Sequence, residues 1–425
     1  MFQNESEQAV RIAHFSDLHY ATKTLTEVDR CFGYAAEQAI ALRVDAAVIS
    51  GDATDHQLDL HAPAVDALAR RVRRLAEHCP VLMLQGTYSH EPPGTLNVFR
   101  LLGAEHPVCV AEAIQQVALT ADGTWVASSG WRFNALPQRA RALFSCLPAV
   151  NKAEVAAAVG AEAAAQAVGA AIADLLSGWG EANRRARAAG IATVGVSHGT
   201  VCGCVTEQGV PMAGLDHEFT TGTLFNAQAS AFLLGHIHKH QAWREGERLV
   251  AYAGSIGRLH YGEEDEKGFI VWRVGAYGAR YDFVPTPARR MLHLDFDGKP
   301  DLEALKAAAP EAKGAFVRVR WMVAEEEQGG VDRAAIEAAL QGAAEVKLEG
   351  RVVPVVRSRA QGISQAHTLS EKVRRWAEAT GVEADGILER LARMEAADID
   401  EIVQGIAAGQ GAQDPAFHAE AANDS

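Results

Sequence analysis

Leu233-Leu-Gly-His-Ile-His-Lys-His240 is an apolar run that stops at a glycine and passes at once into two histidines one residue apart. In extended backbone, side chains at i and i+2 project to the same side. The spacing therefore predicts that His236 and His238 reach a common point, as a shared metal site requires. His-x-His also occurs on ordinary strands. The pair carries weight only if other parts of the chain supply further ligands.

Four other stretches repeat the pattern of a short apolar run ending in acid or histidine. Residues 11–16 read as a strand that ends at Asp17-Leu18-His19. Residues 45–50 read as a buried strand running into Gly51-Asp52. Residues 80–84 open into Gln85-Gly-Thr-Tyr-Ser-His-Glu91, and residues 191–197 into His198-Gly199. Helical periodicity over residues 26–42 and 64–78 separates the first three runs. Strands alternating with helices predict an α/β fold. Ligands in such sheets collect at the carboxyl ends of the strands, where these residues lie.

Bulk properties narrow the class. A chain of 425 residues exceeds one typical domain. A net charge of −14 argues against a general nucleic-acid coat, though not against a DNA enzyme with a local basic groove. The six cysteines are scattered, and Cys202-Gly-Cys204 is too cramped for a zinc knuckle, so reduced thiols are expected. No apolar run is long enough to span a bilayer. Met1 to Val10 lacks the basic-then-apolar layout of a signal peptide. A cytoplasmic protein with no membrane association is the expectation.

Four segments are expected. Residues 1–286 form the main domain, with an alanine-rich helical insertion at about residues 137–190. Residues 287–360 form a small α+β unit. Residues 361–405 hold two short amphipathic helices, the first opened by the capping-box spacing Thr368-Leu-Ser-Glu371. Residues 406–425 have no periodicity and read as a disordered tail.

Gathered together, the strand-end residues are Asp17, His19, Asp52, His90, His198, His236 and His238. A mixed Asp/His set without cysteine suits Mn²⁺, Fe or Zn²⁺ and disfavours a structural zinc site. One carboxylate able to bridge, here Asp52, suggests two cations of the kind that clamp a phosphoryl oxygen during ester hydrolysis.

Asp-x-His, Gly-Asp, Ser-His-Gly and Gly-His-x-His, in that order, resemble the calcineurin-like metallophosphoesterase superfamily. Tyr252-Ala-Gly-Ser-Ile-Gly-Arg258, then Gly262-Glu and Glu266-Lys-Gly-Phe269, resemble its SbcD-type DNA repair exonucleases. The resemblance covers about the first two-thirds of the chain and rests on layout alone beyond that. It implies a β-sandwich flanked by helices, with the α+β unit as a DNA-binding cap. It also implies two divalent metals, Mn²⁺ first and Mg²⁺ compatible. Asp17, His19, Asp52 and His238 would hold one; Asp52, His198, His236 and a residue after the third strand would hold the other.

That third motif normally reads Gly-Asn-His with Asp or Glu, its asparagine a ligand and its histidine catalytic. Here it is longer and lacks the asparagine, so Ser89, directly before His90, is the candidate ligand and His90 the catalytic group. Glu91 is expected to orient His90. Arg258 and Lys239 are candidate phosphate contacts, and His14, His56, His240 and His260 are read as surface residues. The implied partners are DNA, an SbcC-type ABC ATPase docked on the C-terminal helices, and a second copy of the chain. The other readings are a phosphatase or cyclic-nucleotide phosphodiesterase on the same fold, and a catalytically weakened DNA-bound scaffold.

Overall fold

The computed structural model describes residues 9–56, 61–150, 161–206, 218–353, 362–396 and 398. Two sheets form the main body. In the first, the strands Ala279–Pro285, Gly268–Val274, Val10–Phe15, Ala46–Ile49, Val81–Leu84 and Val108–Ala111 lie side by side in that order. The last four run parallel. The second places Gln241–Glu245, Arg248–Tyr252, Ala231–Gly235, Ala192–His198, Ala140–Leu147, Gln115–Thr120 and Trp125–Ala127 in order.

Alternation along the strands builds the layers. Ile12, Val48 and Leu82 from the first sheet and Leu119, Val194 and Leu233 from the second bury into one core between the sheets. The other face of the first sheet, with Ala13, Phe15 and Ile49, is covered by the helices Leu25–Ala41 and Pro63–Ala76 through Val28, Phe32, Leu68 and Val72. The outer face of the second sheet, with Phe232 and Leu234, packs on the helix Ala161–Ala188 through Ile172, Leu176 and Trp179. The fold is α/β, a β-sandwich flanked by helices.

The helical insertion does not begin where expected. Ala140–Leu147 is a strand, parallel to Ala192–His198 and antiparallel to Gln115–Thr120. Its sequence, Ala-Arg-Ala-Leu-Phe-Ser-Cys-Leu, has few β-branched residues, so local propensity misread it. Burial of its last six residues between neighbours overrides that preference.

The chain divides into two compact units. Met1–Trp321 together with Val331–Gly350 form one, and Met322–Gly330 with Arg351–Ser425 the other. A three-stranded sheet, Met291–Asp297, Phe316–Ala324, Glu345–Val353, accompanies the helices Leu302–Ala312 and Arg333–Ala339. In the second unit the helix Leu369–Thr380 starts on the expected cap: Glu371 N donates to Thr368 Oγ1 at 3.1 Å. A second helix, Asp385–Ala396, follows. The expected disordered tail lies outside the described residues. No helix among the described residues is long and apolar enough to cross a membrane.

Candidate metal centre

Strand register brings the motifs together. Phe15 pairs with Ile49, and Gly235 pairs with His198, so in each sheet the carboxyl ends of adjacent parallel strands stop level. Gly235 sits where the two sheets converge. A Cβ there would come within 2.3 Å of Ser16 Oγ and of the Ser50 carbonyl, so only glycine fits.

Four of the donor residues sit just past these ends in strained backbone, while His198 is the last residue of its strand. Asp17, His19 and Asp52 adopt φ of 49°, 48° and 50°, and His236 has φ of 101°. Left-handed φ is uncommon outside glycine and costs free energy that the surroundings must repay. Asp17 N donates to the Gly51 carbonyl at 3.2 Å and His19 N to the Asp52 carbonyl at 2.9 Å, which zips two of the loops together. The i, i+2 argument from extended backbone therefore does not describe these pairs. His236 and His238 turn to different groups.

One group is Asp17, His19 and His238, and a second is Asp52, His198 and His236; within each, the donor atoms lie within 4.8 Å of one another. Asp52 Oδ2 stands between them, 3.8 Å from His19 Nε2 and 3.2 Å from His198 Nε2. Outer ring nitrogens are committed. His198 Nδ1 donates to the Ser50 carbonyl at 2.9 Å, and His238 Nδ1 to Glu263 at 2.8 Å. Both rings thus turn Nε2 inward. His19 Nε2 and His238 Nε2 face each other at 3.1 Å, where two lone pairs can share one proton or one cation. Asp17 is fixed by Ser16 Oγ at 2.5 Å and by His236 N at 3.0 Å. This donor set, oxygen and imidazole nitrogen with second residues locking the His198 and His238 tautomers, fits two divalent cations.

Charges are tuned accordingly. Burial opposes ionisation of Asp52, yet the charge and hydrogen bond of His198, helped by His19 and His90, hold its carboxyl well below the usual carboxylate range. Burial likewise opposes charge on His198, but Asp52 pushes it up to about 10. Glu263, buried and paired with His238 and Lys267, is pushed down to about 2.

His90 stands beside the first group with Nδ1 3.1 Å from Asp55 Oδ1, its ring stacked on His56. Burial, ahead of the neighbouring charges, pushes its pKa down. Asp55 also faces His19 Nδ1 at 3.7 Å, so one carboxylate addresses both rings.

Five residues expected in other roles sit elsewhere. Ser89 is exposed, and the hydroxyl that faces the second group belongs to Thr87. Glu91 does not touch His90; its carboxylate accepts from Ala53 N at 2.6 Å and Gly86 N at 2.6 Å, tying two loops. Arg258 is spent on backbone carbonyls, among them Glu263 at 2.8 Å and Arg289 at 2.7 Å, and Lys239 pairs with Asp265 at 3.1 Å. His14 is buried, not on the surface. Asp55 and Lys267 had no expected role; the Gly-Asp-x-x-Asp spacing was the available signal for Asp55, and the Glu266-Lys-Gly-Phe269 motif for Lys267.

No family model matches the chain, and no curated protein does. Among solved structures it is similar to an anchor of the inner membrane complex of Plasmodium, at 14% identity over 65% of this chain and 84% of that one, TM-score 0.40. It is similar also to a dimetal phosphatase from Danio rerio, at 10% identity over 64% of this chain and 98% of that one, TM-score 0.39. Superpositions this distant transfer no chemistry.

Proposed function

We propose that this chain is a metal-dependent phosphoesterase, and specifically a DNA nuclease that hydrolyses phosphodiester bonds. The observation that carries the reading is Asp52 Oδ2 standing between two buried Asp/His groups, 3.8 Å from His19 Nε2 and 3.2 Å from His198 Nε2. Asp17, His19, Asp52 and His238 would hold one cation; Asp52, His198 and His236 the other. Two divalent cations there, Mn²⁺ in this reading, supply Lewis acidity toward a phosphoryl group.

The chain's own groups do the rest. Asp55 Oδ1, 3.1 Å from His90 Nδ1, would steady the ring in its doubly protonated form, whose Nε2 proton is the one handed to the leaving alkoxide. Glu263 holds the His238 ring in its tautomer. Glu91 locks the loop bearing His90 to the loop bearing Asp52.

The restriction to DNA, the ABC ATPase partner, the second copy and the cytoplasmic location rest on the motif resemblance. The two C-terminal helices expose Leu369, Trp376, Ile387 and Met394, which suits a docking role. Mn²⁺-dependent cleavage of duplex DNA, run beside a small phosphomonoester and a cyclic nucleotide, tests the reading. DNA should be cut and the small esters spared. Ester hydrolysis with intact DNA, with or without an ATPase partner, would sink the nuclease and leave the phosphatase.

A further inference from the structure

The loop after the strand Val81–Leu84 carries Gly86, Thr87, Tyr88, Ser89 and His90, and its second residue is the one aimed at the second donor group. Thr87 N donates to Asp52 Oδ1 at 2.7 Å, which fixes the carboxylate so that its other oxygen, Oδ2, lies 3.2 Å from Thr87 Oγ1. The same Oγ1 is 3.2 Å from His198 Nε2. Such an approach needs Gly86, because a Cβ there would fall 2.2 Å from Asp52 Oδ1. The His198 ring is already pinned by its Nδ1 on the Ser50 carbonyl. Asp52 and His198 are thus turned onto one spot by bonds made elsewhere, and Thr87 Oγ1 meets both there, donating to Asp52 Oδ2. Ser89, two residues on, is exposed.

From this we infer that Thr87, through its hydroxyl oxygen, is the neutral ligand that completes the second metal group. The inference rests on the dimetal reading and deepens it. A hydroxyl is a weaker neutral donor than an amide or carboxylate oxygen. It favours hard, oxygen-seeking cations and leaves the second site weaker than the first, which has two imidazoles and two carboxylates to call on. Metal binding in this chain is therefore graded: one cation held firmly, the second recruited at higher concentration. The inserted Tyr88 and Ser89 lengthen the path from Thr87 to His90, so ligand and acid need not move together.

Calorimetric titration of the metal-stripped full chain with Mn²⁺ alone, with bound Mn²⁺ followed by paramagnetic resonance, tests this without any reaction. Wild type should show two events of unequal affinity. Thr87→Val keeps the shape, removes the oxygen, and should weaken only the second event by roughly ten-fold or more. Thr87→Asn should restore or tighten it, and Ser89→Ala should leave both events in place. Two wild-type events unchanged by Thr87→Val, or a second event lost in Ser89→Ala instead, would overturn the assignment while keeping the dimetal reading. No Mn²⁺ binding by wild type would overturn both.

Discussion

His90 and the donor histidines lie close together but differ in what their ring nitrogens meet. His198 and His238 donate outward and turn Nε2 toward a carboxylate-lined group. His90 instead leans on Asp55 at 3.1 Å and stacks on the His56 ring, 4.9 Å between centroids. Its pKa is pushed down, first by burial. Replacing it should separate chemistry from binding. His90→Asn should lower turnover by about 10² to 10⁴-fold, while the Mn²⁺ titration stays as in wild type. A variant that lost metal and activity together would place His90 among the ligands.

Among elements, the strand ends do most of the positioning, and the segment from Ile256 to Gly268 supports one of them. Glu263 and Lys267 are both fully buried and lie 3.2 Å apart, with Glu263 also on His238 Nδ1 and Lys267 Nζ donating to the His238 carbonyl at 3.0 Å. The pair grips His238 by ring and backbone at once. Glu263→Gln keeps the shape but can present an N–H to the ring, so the tautomer is no longer dictated. The stronger Mn²⁺ event should weaken about 10 to 100-fold, with far-ultraviolet circular dichroism unchanged. Unaltered affinity would reduce the pair to packing. Strand ends were legible in the sequence because apolar runs stopping at Asp or His leave a linear trace. Ala140–Leu147 left none, since alanine, serine and cysteine read as helix or loop until sheet neighbours bury them. Nor could spacing distinguish Thr87 from Ser89, because that choice is made by how closely Gly86 lets its loop approach Asp52. Glu263 stood in a motif without a role, its partner His238 being 25 residues away.

At the scale of the whole molecule, the sandwich has buried a histidine between its sheets and must keep it neutral. His14 lies on the strand Val10–Phe15, fully buried, with Nε2 2.8 Å from Ser50 Oγ and Nδ1 accepting from Trp272 Nε1 at 3.4 Å. A proton on Nδ1 would set two N–H groups head to head across that contact. Burial, with a smaller contribution from His240, pushes the His14 pKa down to about 3, against roughly 6.5 in the unfolded chain. Between those values the unfolded state binds the extra proton, so stability rises with pH. The contribution is complete above about pH 6.5 and is lost as pH falls toward 3, at up to roughly 1.4 kcal/mol per pH unit from this one group. Urea denaturation with chelator present, at pH 7, 6 and 5, should show wild type losing stability steeply. His14→Gln keeps a hydrogen-bonding side chain but cannot titrate. It should start less stable at pH 7 and fall more slowly, so the two curves converge on acidification. Parallel curves would mean that His14 is not the group through which acid loosens the two sheets.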